Sequence, residues 1–287
     1  MVPLSVIFNL PLLFINLRKQ YLTVPYGIIA GAILGLSLFI IQPFFWIVLC
    51  VFFFSSSLLT KMKAKEKSSR TSDFAKGSSK RDAIQVTANG IVPLLFAFGY
   101  FLFEVLPNLT SNHTNPHNPF NPLFIGVFLA FAVHTSDTWA TEVGILSKKH
   151  PRLITNIRKK VDPGTSGGVT LYGCSASLLG AILVSTTYMI SALILSSMVL
   201  NQKILIYSFL IVFGGFLGSI IDSIEGAAIQ GIYYCDHCRK ETETNPHKRC
   251  GNETRLYRGI QLINNDFVNL SSALIIAFSI SLIFLFF

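Results

Sequence analysis

The sequence predicts an all-α fold, a polytopic helical membrane protein of about seven or eight transmembrane helices. Two observations predict it. Hydrophobic residues make up 51% of the chain and charged residues 13%, with a mean hydropathy of +0.56, which leaves too few charges to coat a soluble globule of 287 residues. The apolar residues are also gathered into long uninterrupted stretches, the pattern of helices crossing a hydrocarbon core about 30 Å thick rather than of short alternating barrel strands.

Taken in order, the expected spans lie at about 4–17, 26–41, 43–59, 84–105, 123–146, 169–196, 204–224 and 265–287. The first is the shortest. Its charges, Arg18 and Lys19, follow the apolar run and no small-residue cleavage site stands out, so it reads as an uncleaved span rather than a signal peptide. Gln42-Pro43 separates the second and third as a tight hairpin, because proline removes a backbone donor and bends the chain. The expected units are N-terminal spans over 1–59, a basic Ser/Lys-rich flexible linker over 60–82, and a membrane core over 83–287 that includes a polar Cys/His loop at 232–263.

The net charge of +9 is partitioned. Every Lys and Arg except Lys203 follows span one, three, five or seven, so the positive-inside rule places these segments in the cytosol and both termini outside. That placement argues for membrane lipid as a partner and against nucleic acid. The loop 107–122 has no Lys or Arg and carries the acceptor triplets Asn108-Leu109-Thr110 and Asn112-His113-Thr114. The signal is weak, since Asn252-Glu253-Thr254 and Asn269-Leu270-Ser271 match the same pattern.

An ionisable group at the centre of a membrane helix costs roughly 2.5–3.5 kcal/mol, so those near spans are functional candidates. Asp137 and Glu142 close span five, Asp222 and Glu225 close span seven, Asp266 starts span eight, and Arg81, Asp82, Gln85 and Asn89 open span four. All fall at one depth on the basic side. Asp222 and Glu225 share a helix face, whereas Asp137 and Glu142 stand about 140° apart on an unbroken helix. The bland alternative for each is a paired interfacial carboxylate. After Arg158, Lys159 and Lys160 comes a turn, Gly164-Thr165-Ser166-Gly167-Gly168, just before a helix, which suits backbone N–H groups aimed at a phosphate. It is not a Walker loop, because its lysines precede the glycines; a flexible, glycine-capped loop is the alternative.

Cys50 and Cys174 sit in apolar spans as core residues. Cys235, Cys238, His247 and Cys250 form C-x2-C-x8-H-x2-C, the ligand types and paired spacing of a structural Cys3His zinc site. A cytosolic loop keeps thiols reduced and so favours zinc over a disulfide.

Several uncommon strings then occur in order. They are Arg81-Asp82-x-x-Gln85-Val86-x-Ala88-Asn89-Gly90, Asp137-Thr138-Trp139-Ala140-Thr141-Glu142, Pro151-Arg152-Leu153-Ile154-Thr155, Pro163-Gly164-Thr165-Ser166-Gly167-Gly168, Asp222-Ser223 with Gly226-Ala227 and Gln230, and Asn264-Asn265-Asp266-x-Val268-Asn269. From about 81 to 272 the chain resembles the transmembrane protein 19 family, whose plant members include phytyl-phosphate kinase. The resemblance implies phosphoryl transfer from a nucleoside triphosphate, ATP or CTP, to an isoprenoid monophosphate. A fainter similarity to polyprenol and phytol kinases is interrupted at Pro163, which stands where those enzymes carry an acid. Phosphoryl transfer needs metal ions held by carboxylates and cations on the phosphates. The expected catalytic residues are therefore Asp137, Glu142, Asp222 and Asp266, with Asp137 and Asp222 as magnesium ligands. Lys159, Lys160 and Gly164 to Gly168 are the expected phosphate-binding groups, and Asn89, Asn265 and Asn269 complete the polar shell. The alternatives are an ion- or proton-coupled transporter using the same carboxylates and a non-catalytic scaffold organised by zinc. No lipidation or retention motif and no transit peptide stands out, so an endomembrane location such as the endoplasmic reticulum is expected.

Overall fold

The computed structural model describes residues 22–23, 25–71, 81–110, 118–197 and 199–284. The expected span at 4–17 and the triplet Asn112-His113-Thr114 lie outside the described residues. The helices are α1 (Tyr26–Ile41), α2 (Pro43–Lys61), α3 (Ala64–Arg70), α4 (Ala83–Tyr100), α5 (Leu106–Thr110), α6 (Pro122–Gly144), α7 (Leu171–Leu195), α8 (Gln202–Ala228) and α9 (Asn265–Ile283). A π-helical turn, Phe101–Val105, joins α4 to α5 without a break. Six helices among the described residues are long and apolar enough to cross a membrane; α1, with 16 residues, is shorter.

Local chemistry sets the boundaries. Gln42 is extended between α1 and α2, and Pro43 opens α2 at the position where a missing N–H costs nothing. Asp82, Asn121, Thr170, Asn201 and Asn264 cap α4, α6, α7, α8 and α9, each side-chain oxygen accepting a first-turn N–H at 2.8–3.0 Å.

The bundle is built around α6, in which every residue from Phe124 to Ser136 is buried. Helices cannot be driven together in lipid by apolar burial, so close approach through small residues takes over. A Cβ on Gly173 or Gly180 of α7 would sit 2.9 Å from the Ala140 carbonyl oxygen or 3.2 Å from that of Thr135. On α8, a Cβ on Gly215 would sit 2.9 Å from Ala132 Cβ, and one on Gly218 would strike Val133. α4 meets α6 the other way round, with the Phe96 ring lying in the space left by Gly126.

Every Lys and Arg of the described residues except Lys203 lies at one end of this bundle, where α2, α6 and α8 finish and α4, α7 and α9 begin. Two small sheets sit there. β1 (Arg152–Leu153), β2 (Asn156–Lys160) and β3 (Gly168–Val169) form the antiparallel order β2-β1-β3 in the α6–α7 loop. β4 (Ile232–Cys235), β5 (Lys240–Thr242) and β6 (Arg255–Arg258) form β5-β4-β6 in the α8–α9 loop. These strands add to the helical class expected from composition.

The linker expected over 60–82 is corrected in its first half. Residues 64–70 are helical because they are tied to the end of α6. Lys67, 7% exposed at its side chain, is 2.7 Å from the Glu142 carboxylate, and Thr60 Oγ1 donates to the same group at 2.7 Å. Arg70 donates to the Ile145 and Ser147 carbonyls at 3.1 and 3.0 Å. Removing one member of a buried ion pair strands the other, so Glu142→Ala should destabilise the protein by about 3 kcal/mol. Gly218→Val should lose about 1–3 kcal/mol by overpacking, whereas Gly99→Ala, whose Cβ would make ordinary contacts at 3.5 Å, should be nearly neutral. Denaturant titration in detergent micelles measures all three.

Candidate functional site

The polar residues of the basic end meet at a cavity of about 210 Å³. α6 contributes Asp137 and Thr141, α8 contributes Ser219, Asp222 and Ser223, and the start of α7 contributes Thr170, Gly173 and Ser177. The remaining wall is the turn from Gly164 to Gly168, with Thr165 and Ser166 8% and 5% exposed. Asp222 accepts from Ser272 Oγ of α9 at 3.3 Å, which fixes its carboxylate across the α8–α9 interface. Ser177 is 2% exposed and its hydroxyl has no hydrogen-bond partner among the described residues. Ile145, Phe216 and Ile220 supply an apolar flank.

The glycine turn is held rigidly. Ile154 N–H donates to the Gly167 carbonyl at 2.9 Å, and Leu153 pairs with Gly168 in the β1–β3 ladder. Gly167 has φ of 78°, a left-handed conformation, and a Cβ there would strike Ala227 at the end of α8, so this position requires glycine on two counts. Ser166 Oγ donates to Gln230 Oε1 at 2.6 Å. Arg258 of β6 then donates to the Ser166 carbonyl at 3.1 Å, to that of Gly226 at 3.2 Å and to that of Ala227. One guanidinium thus satisfies the open end of α8 and anchors the turn.

The expected set of four carboxylates is therefore corrected in its geometry. Asp137 and Asp222 share the cavity, while Glu142 lies on another side of α6 and is engaged by Lys67 and Thr60, as the angular separation along an unbroken helix requires. Asp266 and Asn265 occupy the first turn of α9 and are not among the cavity's lining residues. Asn269 lies one turn before Ser272 and its buried Oδ1 has no hydrogen-bond partner among the described residues. Asn89 lines a different cavity, between α1, α2 and α4. Lys159 and Lys160 stand exposed on β2, beside the turn rather than in it. Sequence reasoning missed Arg258, which there counted only as one more positive charge on the cytosolic side, and the serines of α7 and α8, whose relation to Asp137 is purely spatial.

The second constellation is the cysteine cluster. The ligand atoms of Cys235, Cys238, His247 and Cys250 all lie within 4.8 Å of one another. Cys235 and Cys250 Sγ are 3.6 Å apart, close to the roughly 3.8 Å edge of a tetrahedron with Zn–S bonds of about 2.3 Å. Two knuckles present them. Cys238 N–H points at Cys235 Sγ at 3.5 Å, and Gly251, with φ of 73°, lets its N–H reach the His247 carbonyl at 2.8 Å. The thiols interact strongly. A backbone hydrogen bond from Asn252, with others from His247 and the neighbouring cysteines, pulls Cys250 down to about 6, while hydrogen bonding with Cys250 and burial push Cys238 up to about 11. Such a set fits a zinc ion closed by four protein ligands, a structural rather than a catalytic arrangement. Metal analysis of the purified protein should find about one zinc per chain, and Cys235→Ser should lose both the metal and the protease resistance of 232–263.

The integral membrane protein DUF92 family model matches residues 7–277. Protein PGR of Arabidopsis thaliana is 32% identical over 240 residues, covering 82% of this chain and 80% of that protein. An uncharacterized membrane protein of Methanocaldococcus jannaschii is 30% identical over 215 residues, 74% of this chain and 77% of its own. No solved structure matches. The match over nearly the whole length, to a family of integral membrane proteins that this helical bundle fits, places the chain in the DUF92 family as a multi-pass membrane protein.

Proposed function

We propose that this protein is a membrane phosphotransferase, passing the terminal phosphoryl group of a nucleoside triphosphate to an isoprenoid monophosphate at the basic, cytosolic face. The observation that carries the reading is the meeting of Asp137, Asp222 and the Gly164–Gly168 turn around one cavity, from three stretches far apart in sequence. Carboxylate oxygens are the ligands magnesium prefers, and it would bring positive charge to the phosphates between them. The turn lines the cavity with neutral backbone, and Ser177 supplies a hydroxyl that is unspent among the described residues. Ile145, Phe216 and Ile220 give an isoprenoid chain an apolar wall to follow towards lipid. In the reaction an acceptor phosphate oxygen bonds to the γ-phosphorus as the bond to the β–γ bridging oxygen breaks, leaving a nucleoside diphosphate and an isoprenoid diphosphate.

Lys159 and Lys160 act in this scheme before chemistry, drawing anionic substrates to the face on which they stand exposed. The resemblance to the transmembrane protein 19 family supports the same donor and acceptor. A cavity at the end of the bundle rather than midway along it suits surface chemistry better than alternating access.

Purified protein given phytyl monophosphate, Mg²⁺ and ATP or CTP should form the diphosphate, followed by mass spectrometry. Asp137→Asn and Asp222→Asn should each lower kcat by about 10²-fold or more. Lys159→Ala with Lys160→Ala should raise KM, more so at low salt, and leave kcat nearly unchanged. Absence of product with either nucleotide, or full activity in both aspartate variants, would overturn the proposal.

A further inference from the structure

The sheet of the α8–α9 loop cannot hold itself together. Its strands have four, three and four residues, and of the apolar side chains in 232–263 only those of Ile232 and the ligand Cys235 are buried. Three such short strands without an apolar face are not stable in water on their own. The four metal-ligating side chains make up the deficit by their placement. Cys235 ends β4 and Cys238 lies in the turn to β5, whereas His247 and Cys250 lie in the connection from β5 to β6. One ion there joins both connections at the tip, so the free energy of binding zinc is also the free energy that folds the sheet.

At its other end the same sheet grips the cavity. Arg258, the last residue of β6, pairs with Ile232 of β4 and donates to the Ser166 carbonyl at 3.1 Å. Gln230 is buried just before β4, with its amide between two partners. Its Oε1 accepts Ser166 Oγ at 2.6 Å, and its Nε2 donates to Glu243, one residue beyond β5, at 3.2 Å. Ser166 is thus fastened twice, by its main chain through β6 and by its side chain through the end of β5. The other half of the turn has its own support, where Gly167 and Gly168 meet Ile154 and Leu153. The helices do not depend on the sheet in this way. Hydrogen bonds from Gly231 N–H to the Ile263 carbonyl and from Ile260 N–H to that of Ile229 join the stalks of the loop, and Gly259, left-handed with φ of 77°, separates Arg258 from them.

We propose that Arg258 and Gln230 are positioning residues for the Asp137–Asp222 cavity, and that they hold Ser166 in its wall only while zinc closes the sheet. The metal at the cysteine cluster then sets the shape of a cavity that none of its four ligands lines. The proposal concerns that shape, and it stands whether or not the cavity transfers phosphate.

Hydrogen exchange read by mass spectrometry, on full-length protein in detergent micelles at constant Mg²⁺, tests it. Removing zinc with a zinc-selective chelator should speed exchange in peptides covering 163–168 about tenfold or more, the effect of losing two or three hydrogen bonds, and should leave 124–136 of α6 protected. Returning zinc, or cadmium as another thiophilic ion, should restore the protection, and extra Mg²⁺ should not. Asp137→Asn should show the same response to zinc, because the ion acts from the cysteine cluster. Arg258→Gln should keep about one zinc per chain and a protected 235–250, yet exchange quickly at 163–168. Arg258 also closes α8, so should that variant not fold, Gln230→Ala takes its place with the same expectation. A turn whose protection ignores zinc removal, loss of protection in 124–136 along with it, recovery with Mg²⁺, a zinc response abolished by Asp137→Asn, or a slowly exchanging turn in the zinc-loaded positioning variants would each overturn the proposal.

Discussion

The structure depends on how closely three helices approach α6. In a hydrocarbon surround an apolar side chain gains little by leaving lipid for protein, so what holds helices together is contact density, and contact density requires small residues at the crossing. α7 and α8 carry theirs where they meet α6, at Gly173, Gly180, Gly215 and Gly218, while α4 offers Phe96 to Gly126. The result is a helix enclosed by protein from Phe124 to Ser136. Asp137 is the next residue. It emerges where the enclosed stretch ends, and the closeness that buries its predecessors brings Ser177 and Asp222 to the same opening.

The carboxylates at this end are sorted by angle rather than by depth. Asp137 and Glu142 come from one helix and similar levels, yet one faces the glycine turn and the other closes the bundle against α2 and α3. The pairing with Lys67 removes Glu142 from competition for any cation entering the cavity, while Asp222 is held from behind by the hydroxyl of Ser272. A site in which one acid is held by a neighbouring helix and another is withdrawn into an ion pair is thereby distinguished from an undirected acidic surface. Arg258 has the corresponding task on the backbone side, ending α8 and positioning the turn with one planar group.

Much of this was legible from residue order because hydropathy in a membrane is nearly one-dimensional. The seven spans that fall on described residues came within a few residues of the observed helices, the Gln42-Pro43 hairpin followed from proline, and the choice of His247 over His237 followed from paired spacing. The failures share a cause. The short helix at 64–70 looks like a solvated linker until its partner, 75 residues further on from Lys67, is known. Strands of two to five residues are too short to display an alternation. Asn89 and Asp137 read as equivalent polar intrusions, yet they face different cavities, because the rotation of one helix relative to another is written in packing and not in either helix alone.

The cysteine-bearing insertion leaves the bundle at the end of α8 and returns at the start of α9, and its two stalks are joined. Gly231 N–H meets the Ile263 carbonyl at 2.8 Å and Ile260 N–H meets that of Ile229 at 2.9 Å. For the helices on either side, the whole excursion is therefore equivalent to a short turn. Its outer part is free to lengthen or shrink without altering the distance between α8 and α9, so evolution can rebuild the tip of this projection while the frame it stands on stays where it is.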